Sequence, residues 1–309
     1  MRTTSRSLRV LSVLLTVGAA PIGAHAAEYG FSSYGLGGNA FGAGATPPPG
    51  TYVTSVTGFY SGKAKADVDF DNFTLSAGAD VDFFTSGVNI LYVPQQKFFG
   101  GSLGLSVTVP AGHIDIDAQI TSPISISRGV DGWGLGDIIP KVQLGWQQGT
   151  FSHTAYIQAV TPTGRWDDGF SPNIGLHRPG IDLGWAFTWV DPQTKFQANG
   201  VLGVTFNFEN TATDYKTGNE FHFEWALGFE CSPGLVLGVV GYDYRQFTDD
   251  SGSARGPFRG TVDAVGAGVS YTTLVGGSPL ILNLRHYREF NVENRWDGSM
   301  TIATGTLKF

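Results

Sequence analysis

The chain has 309 residues, a net charge of −7, 44 glycines, 13% aromatic residues and only 15% charged ones. The acidic balance argues against nucleic acid as a partner, and a single cysteine, Cys231, leaves no internal disulfide framework. No run beyond the first residues approaches the length of a helical membrane span.

At the N-terminus Arg2, Arg6 and Arg9 precede an apolar run over residues 10–17, and Ala24, His25 and Ala26 supply a small-residue cleavage pattern. Residues 1–26 are therefore expected to be an export signal cut before Ala27; a membrane anchor would need a longer apolar run. Residues 27–49 form a glycine- and aromatic-rich segment that closes on Pro47, Pro48 and Pro49. Its aromatics, Tyr29, Phe31, Tyr34 and Phe41, suit a plug folded back into a lumen, while its glycine and proline content suits a periplasmic tail.

From residue 50 to residue 309 the chain falls into alternating runs. The clearest covers residues 220–230, where Phe221, Phe223, Trp225, Leu227 and Phe229 alternate with Glu220, His222, Glu224 and Glu230. A strand with one oily and one charged face fits the wall of a transmembrane β-barrel. Runs at 181–190 and 195–208 repeat the pattern.

Connections between runs are either tight, at 94–97, 147–149, 191–194, 232–234 and 276–279, or long and polar, near 61–77, 110–136, 162–180, 209–219, 248–259 and 291–298. Short periplasmic turns and long outer loops are a barrel signature. The count is about twelve strands in an antiparallel up-and-down barrel. Residues 113–120 also alternate and are placed in an outer excursion; a partner strand for them would make fourteen. The last run ends on Phe309 and resembles the terminal signal read by barrel-assembly machinery.

The alternation predicts inward charges, with Asp182, His222, Glu224, Asp243, Arg245 and Arg285 as candidates for a substrate path. Mutual pairing that fills a narrow barrel is the plainer explanation for most of them. Asp243, Arg245 and Arg285 were expected near the outer half. An enzyme is not expected. Ser152 and His153 are adjacent on a strand and point to opposite faces, no nucleophile elbow occurs, and the histidines lack metal-ligand spacing. No cofactor is expected either.

Several ordered motifs resemble the meta-pathway phenol-degradation protein family. They are Gly42-Ala43-Gly44, the 47–52 stretch, Gly134-Leu135-Gly136-Asp137-Ile138, Pro162-Thr163-Gly164-Arg165-Trp166, Asn173-Ile174-Gly175, the 210–218 stretch and Gly241-Tyr242. Trp166 departs from the tyrosine more usual after the Thr-Gly pair. The resemblance implies a Gram-negative outer-membrane barrel, embedded in outer-membrane lipid and similar in role to the channels that admit fatty acids and toluene. The functional expectation is passive uptake of a small hydrophobic or aromatic solute. The alternative is a structural or surface-interaction barrel with a closed lumen.

Overall fold

The computed structural model describes residues 28–70, 73–122, 125–167, 173–252 and 258–309; the expected export signal lies outside them. A 3-10 turn (Glu28–Gly30) precedes β1 (Gly50–Phe70), β2 (Phe73–Val93), β3 (Lys97–Phe98), β4 (Gly101–Ser122), β5 (Ile126–Leu135), β6 (Ile139–Gln148) and β7 (Phe151–Val160). There follow β8 (Gly180–Val190), β9 (Phe196–Asn207), β10 (Glu220–Ser232), β11 (Leu235–Gln246), β12 (Thr261–Val275), β13 (Ser278–Glu293) and β14 (Asp297–Lys308). Antiparallel pairing runs in chain order and closes when β14 meets β1, with Tyr52 opposite Lys308 and Lys63 opposite Asp297. Among the described residues twelve strands make the closed wall, and β3 and β5 are additional. Closure leaves the wall no free sheet edge, which is what lets strands cross lipid. No helix of the described residues is long and apolar enough to cross a membrane.

The polar face of 220–230 points inward. Glu220, His222 and Glu224 are buried, while Leu227 and Phe229 are exposed on the outer face. Register carries this parity around the wall, since Glu220, His222 and Glu224 lie opposite Gln246, Tyr244 and Tyr242 of β11 and opposite Thr205, Gly203 and Val201 of β9.

Two of the expected outer loops are strands instead. Residues 61–70 and 73–77 continue β1 and β2 as one long hairpin, and residues 113–120 are the upper part of β4, paired with β2 on one side and β5 on the other. The reason is that alternation continues there with its sense reversed. Inside the membrane wall the outward residues of β2 and β4 are Val88, Ile90, Leu105 and Val109. Above it they are Asp80, Asp82, Asp115 and Asp117, while Val81, Ile114 and Ile120 are buried inward. Wet outside and oily inside is what a sheet standing in water requires. β5 and β6 are successive pieces of one descending strand, because β4 pairs with β5 over residues 111–120 and with β6 over residues 102–108. The interruption is Gly136, Asp137 and Ile138.

Candidate solute path inside the barrel

Residues 28–49 lie within the wall and traverse it lengthwise. At the long-loop end the Glu28 carboxylate accepts hydrogen bonds from Asn210 Nδ2 (3.0 Å) and Thr213 Oγ1 (2.8 Å), and its amide donates to Thr217 Oγ1 (3.2 Å). Arg178, fully buried, donates to the Phe31 carbonyl (2.5 Å) and to Ser33 Oγ (3.0 Å). Midway, Glu224 Oε2 accepts from the Asn39 amide (3.0 Å) and the Tyr34 hydroxyl (3.3 Å), and the Tyr34 ring stacks on His222 at 3.5 Å. His222 Nε2 in turn lies 2.9 Å from Asp182 Oδ1. Lower down, the Gly42 amide donates to Asn199 Oδ1 (2.8 Å), the Gly44 amide to Thr188 Oγ1 (2.9 Å), and Thr154 Oγ1 donates to the Gly44 carbonyl (3.0 Å).

Backbone polar groups away from water need such partners, and β7–β10, β13 and the outer loops supply them. Glycine is required at Gly44, where a Cβ would sit 2.4 Å from the Phe187 backbone.

The opposite side of the lumen is different. Between the N-terminal segment and the β14–β1–β2–β4 wall lies an apolar cavity of about 340 Å³, bordered by Phe31, Phe83, Ile114, Trp296, Met300 and Ile302 among others. Phe31 packs against Phe83 (5.7 Å between ring centroids) and Trp296 (6.4 Å), so the segment also forms one cavity wall. Two charged groups border the space. Glu289 is fully engaged, accepting from Tyr60 (2.7 Å), Tyr242 (2.7 Å) and the Gly298 amide (2.9 Å). Arg295 lies 4.2 Å over the Tyr244 ring, and its Nη1 is sealed without a hydrogen-bond partner. Burial would lower the Arg295 pKa, but Tyr244, Glu289 and Glu220 raise it, so the guanidinium is charged. Nearer the short-turn end the inward side chains on this side include the uncharged pairs Thr54 with Thr306 (2.8 Å), Asn89 with Thr108 (2.8 Å) and Asn283 with Thr304 (3.1 Å), together with Lys308, whose ammonium lies 5.8 Å from the centroid of the Tyr52 ring.

A sequence profile of the family described as "Putative MetA-pathway of phenol degradation" matches residues 41–303. The chain belongs to this family. No curated protein sequence matches it. Among solved structures it is similar to the COG4313 outer membrane channel from Pseudomonas putida F1, at 15% identity and a TM-score of 0.64, covering 85% of this chain and 97% of that one. Looser likenesses are the CymD monoaromatic hydrocarbon channel (10% identity, TM-score 0.45, 85% and 89% covered) and the β domain of the Bordetella autotransporter BrkA (11%, 0.47, 84% and 100%). The protein is thus an outer-membrane β-barrel of the phenol-degradation family.

The family motifs meet in space. Asp137 is buried at the β5–β6 interruption. Its Oδ1 accepts from the amides of Thr163 (3.1 Å) and Gly164 (2.8 Å), and its Oδ2 from the amide of Leu176 (2.7 Å). A Cβ on Gly164 would stand 2.7 Å from the backbones of Gly136 and Gly175. This clasp holds Ile174 and Leu176 at the cavity wall. In sequence each piece is only turn chemistry, and their convergence depends on the fold.

Of the six path candidates, Asp182, His222, Glu224 and Arg285 face inward and are buried; Arg285 donates to the Gly38 carbonyl (3.1 Å). Asp243 and Arg245 face outward, contrary to expectation. They lie opposite Phe223 and Phe221, whose side chains are on the outer face, and Arg245 pairs with Asp243 (2.8 Å) and with Asp263 of β12 (2.6 Å). The inward residues there are Tyr242 and Tyr244. Parity misleads near the outer rim because outward side chains at that height are no longer in hydrocarbon, so charge ceases to mark the lumen.

Of the aromatic candidates, Tyr29 sits in the 3-10 turn, Phe31 and Tyr34 border the cavity, and Phe41 packs on Gly228 and Gly268 of β10 and β12. Sequence reasoning did not single out Glu28, Arg178, Asn199 or Arg295 as site residues. Asn199 was readable from its inward parity. The other three lie outside the strands, where no period operates. Among the described residues no group of three or more His, Cys, Asp or Glu is arranged to hold a metal.

Proposed function

We propose that the protein is an outer-membrane channel for passive uptake of small hydrophobic or aromatic compounds, with residues 27–49 acting as its plug. The observation that carries this reading is the apolar cavity between that segment and the β14–β1–β2–β4 wall. It lies beneath an outer hairpin region whose inner face, Val81, Ile114 and Ile120, is also apolar. An apolar solute crosses the lipopolysaccharide layer poorly, and a mouth with this lining lets it leave water before it meets the plug. Uncharged Thr and Asn pairs line the way down, with the Lys308 ammonium beside Tyr52 at the short-turn end. Asp182, His222, Glu224 and Arg285 act here chiefly by holding the plug, through Tyr34, Asn39 and Gly38. A similar solved structure is an outer membrane channel, which agrees with this role.

Residues 1–26 serve as the export signal and Phe309 as the assembly signal in this reading. Mass measurement of the mature chain should give a start at Ala27, and removal of Phe309 should lower the yield of assembled barrel. The deciding experiment for transport is uptake of labelled toluene at low external concentration by a deletion strain and its complemented parent. Slower uptake in the deletion strain supports the channel; equal rates favour a closed barrel whose outer loops bind a partner.

A further inference from the structure

We infer that the cavity is a binding site for a small aromatic carboxylate, whose ring lies among Phe31, Phe83, Trp296 and Ile302 and whose acid group is taken by Arg295. The inference rests on the channel reading and narrows its substrate class. Pockets of this size, mostly apolar with a few polar groups, are typical small-ligand sites, and the polar groups fix orientation. Among the described residues two charged side chains border the space. Glu289 is occupied by three donors at 2.7, 2.7 and 2.9 Å, which spread its charge and leave it little capacity for a further donor.

Arg295 is the contrasting case. It is held over Tyr244 by its face, its Nη1 has no acceptor, and no carboxylate among the described residues forms an ion pair with it. A guanidinium offers a planar fork of donors that matches a carboxylate, and such pairing is strong where water is excluded. The other buried guanidinium nearby, Arg178, is not available in this way, because it donates to the main-chain carbonyls of Glu28 and Phe31 and to Ser33 Oγ. Glu220 also lies in the field of both arginines. A bare hydrocarbon would use the walls and leave the Arg295 guanidinium at the cavity edge without an anion.

The test is direct binding to the purified full-length mature barrel in detergent, by calorimetry, with benzoate, benzamide and toluene as probes. The expected order is benzoate, then benzamide, then toluene. Arg295→Met should weaken benzoate by at least about tenfold and leave toluene within about twofold, while Arg295→Lys should keep part of the benzoate affinity. Heat-modifiable migration on gels reports whether each variant remains a folded barrel. Ile302→Trp, which fills the cavity, should abolish binding of all three. Equal binding of benzoate and benzamide, or benzoate binding unchanged by Arg295→Met, overturns the carboxylate site. If toluene then still binds and is lost in Ile302→Trp, the channel reading stands alone. If no probe binds and the deletion strain takes up toluene at the parental rate, both readings fall.

Discussion

On the β7–β11 side of the lumen the inward side chains include Thr154, Asp182, Thr188, Asn199, His222 and Glu224, whereas on the β14–β1–β2–β4 side they include Met300, Ile302, Val56, Phe83 and Ile114. The first set grips a strand-poor segment whose backbone has no ladder partner of its own, and it does so through hydrogen bonds to main-chain and hydroxyl groups. The second set touches the same segment through Phe31 and its apolar neighbours, with a hydrogen bond from Tyr52 of β1 to the Pro48 carbonyl (2.7 Å) at the lower end, and leaves space. One lumen therefore has a holding side and a receiving side. Hydrogen bonds fix position because an unmet buried group costs about 1–3 kcal/mol. Apolar walls impose no such geometry, so they suit a solute that must come and go.

The comparison predicts which changes act on gating and which on binding. Deleting residues 28–49 should have the largest effect, a several-fold rise in single-channel conductance in planar bilayers, because it empties both sides at once. An unchanged conductance would mean that something other than this segment limits the lumen. Gly44→Val comes next. Its Cβ falls within 2.4 Å of the Phe187 backbone, so the lower half of the segment should be displaced while the wall stays folded, seen as frequent long openings.

Arg178→Met removes the donor for the Phe31 carbonyl and Ser33 Oγ and should loosen the outer end of the segment, at a cost of about 1–3 kcal/mol for each acceptor left unmet. Cysteine labelling at position 32 from outside the cell should speed up. Ile114→Ser, on the receiving side, should weaken binding of an apolar probe by about tenfold, as expected for losing a buried aliphatic side chain, with conductance unaltered. Arg245→Gln should change neither conductance nor binding, because Arg245 stands on the outer face beside Asp243 and Asp263. A change in either would return it to the path.

The twelve-strand wall was legible because lipid enforces it. A strand with hydrocarbon on one face must place apolar residues at every second position, as 181–189 and 221–229 do, and parity then constrains the strand count. The same rule failed where lipid ends. Above the membrane β2 and β4 reverse their polarity, so the alternation of residues 113–120 was visible while its membership in the wall-forming strand was not. At the rim of β11, Asp243 and Arg245 carried a lumen signature on the outer face. In the family motifs, Asp137 and Gly164 were noticed in sequence, but the clasp joins residues 26 and 27 positions apart.

What the sequence determined by itself was the period-two pattern, the two classes of connection and the aromatic content of residues 28–49, since each of these is written in neighbouring positions. Only the tertiary structure decided where that segment runs, which lumen side grips it and which stays apolar. Those outcomes depend on contacts such as Gly44 to Thr188 and Tyr34 to Glu224, formed across more than a hundred residues, for which local chemistry supplies partners but no address.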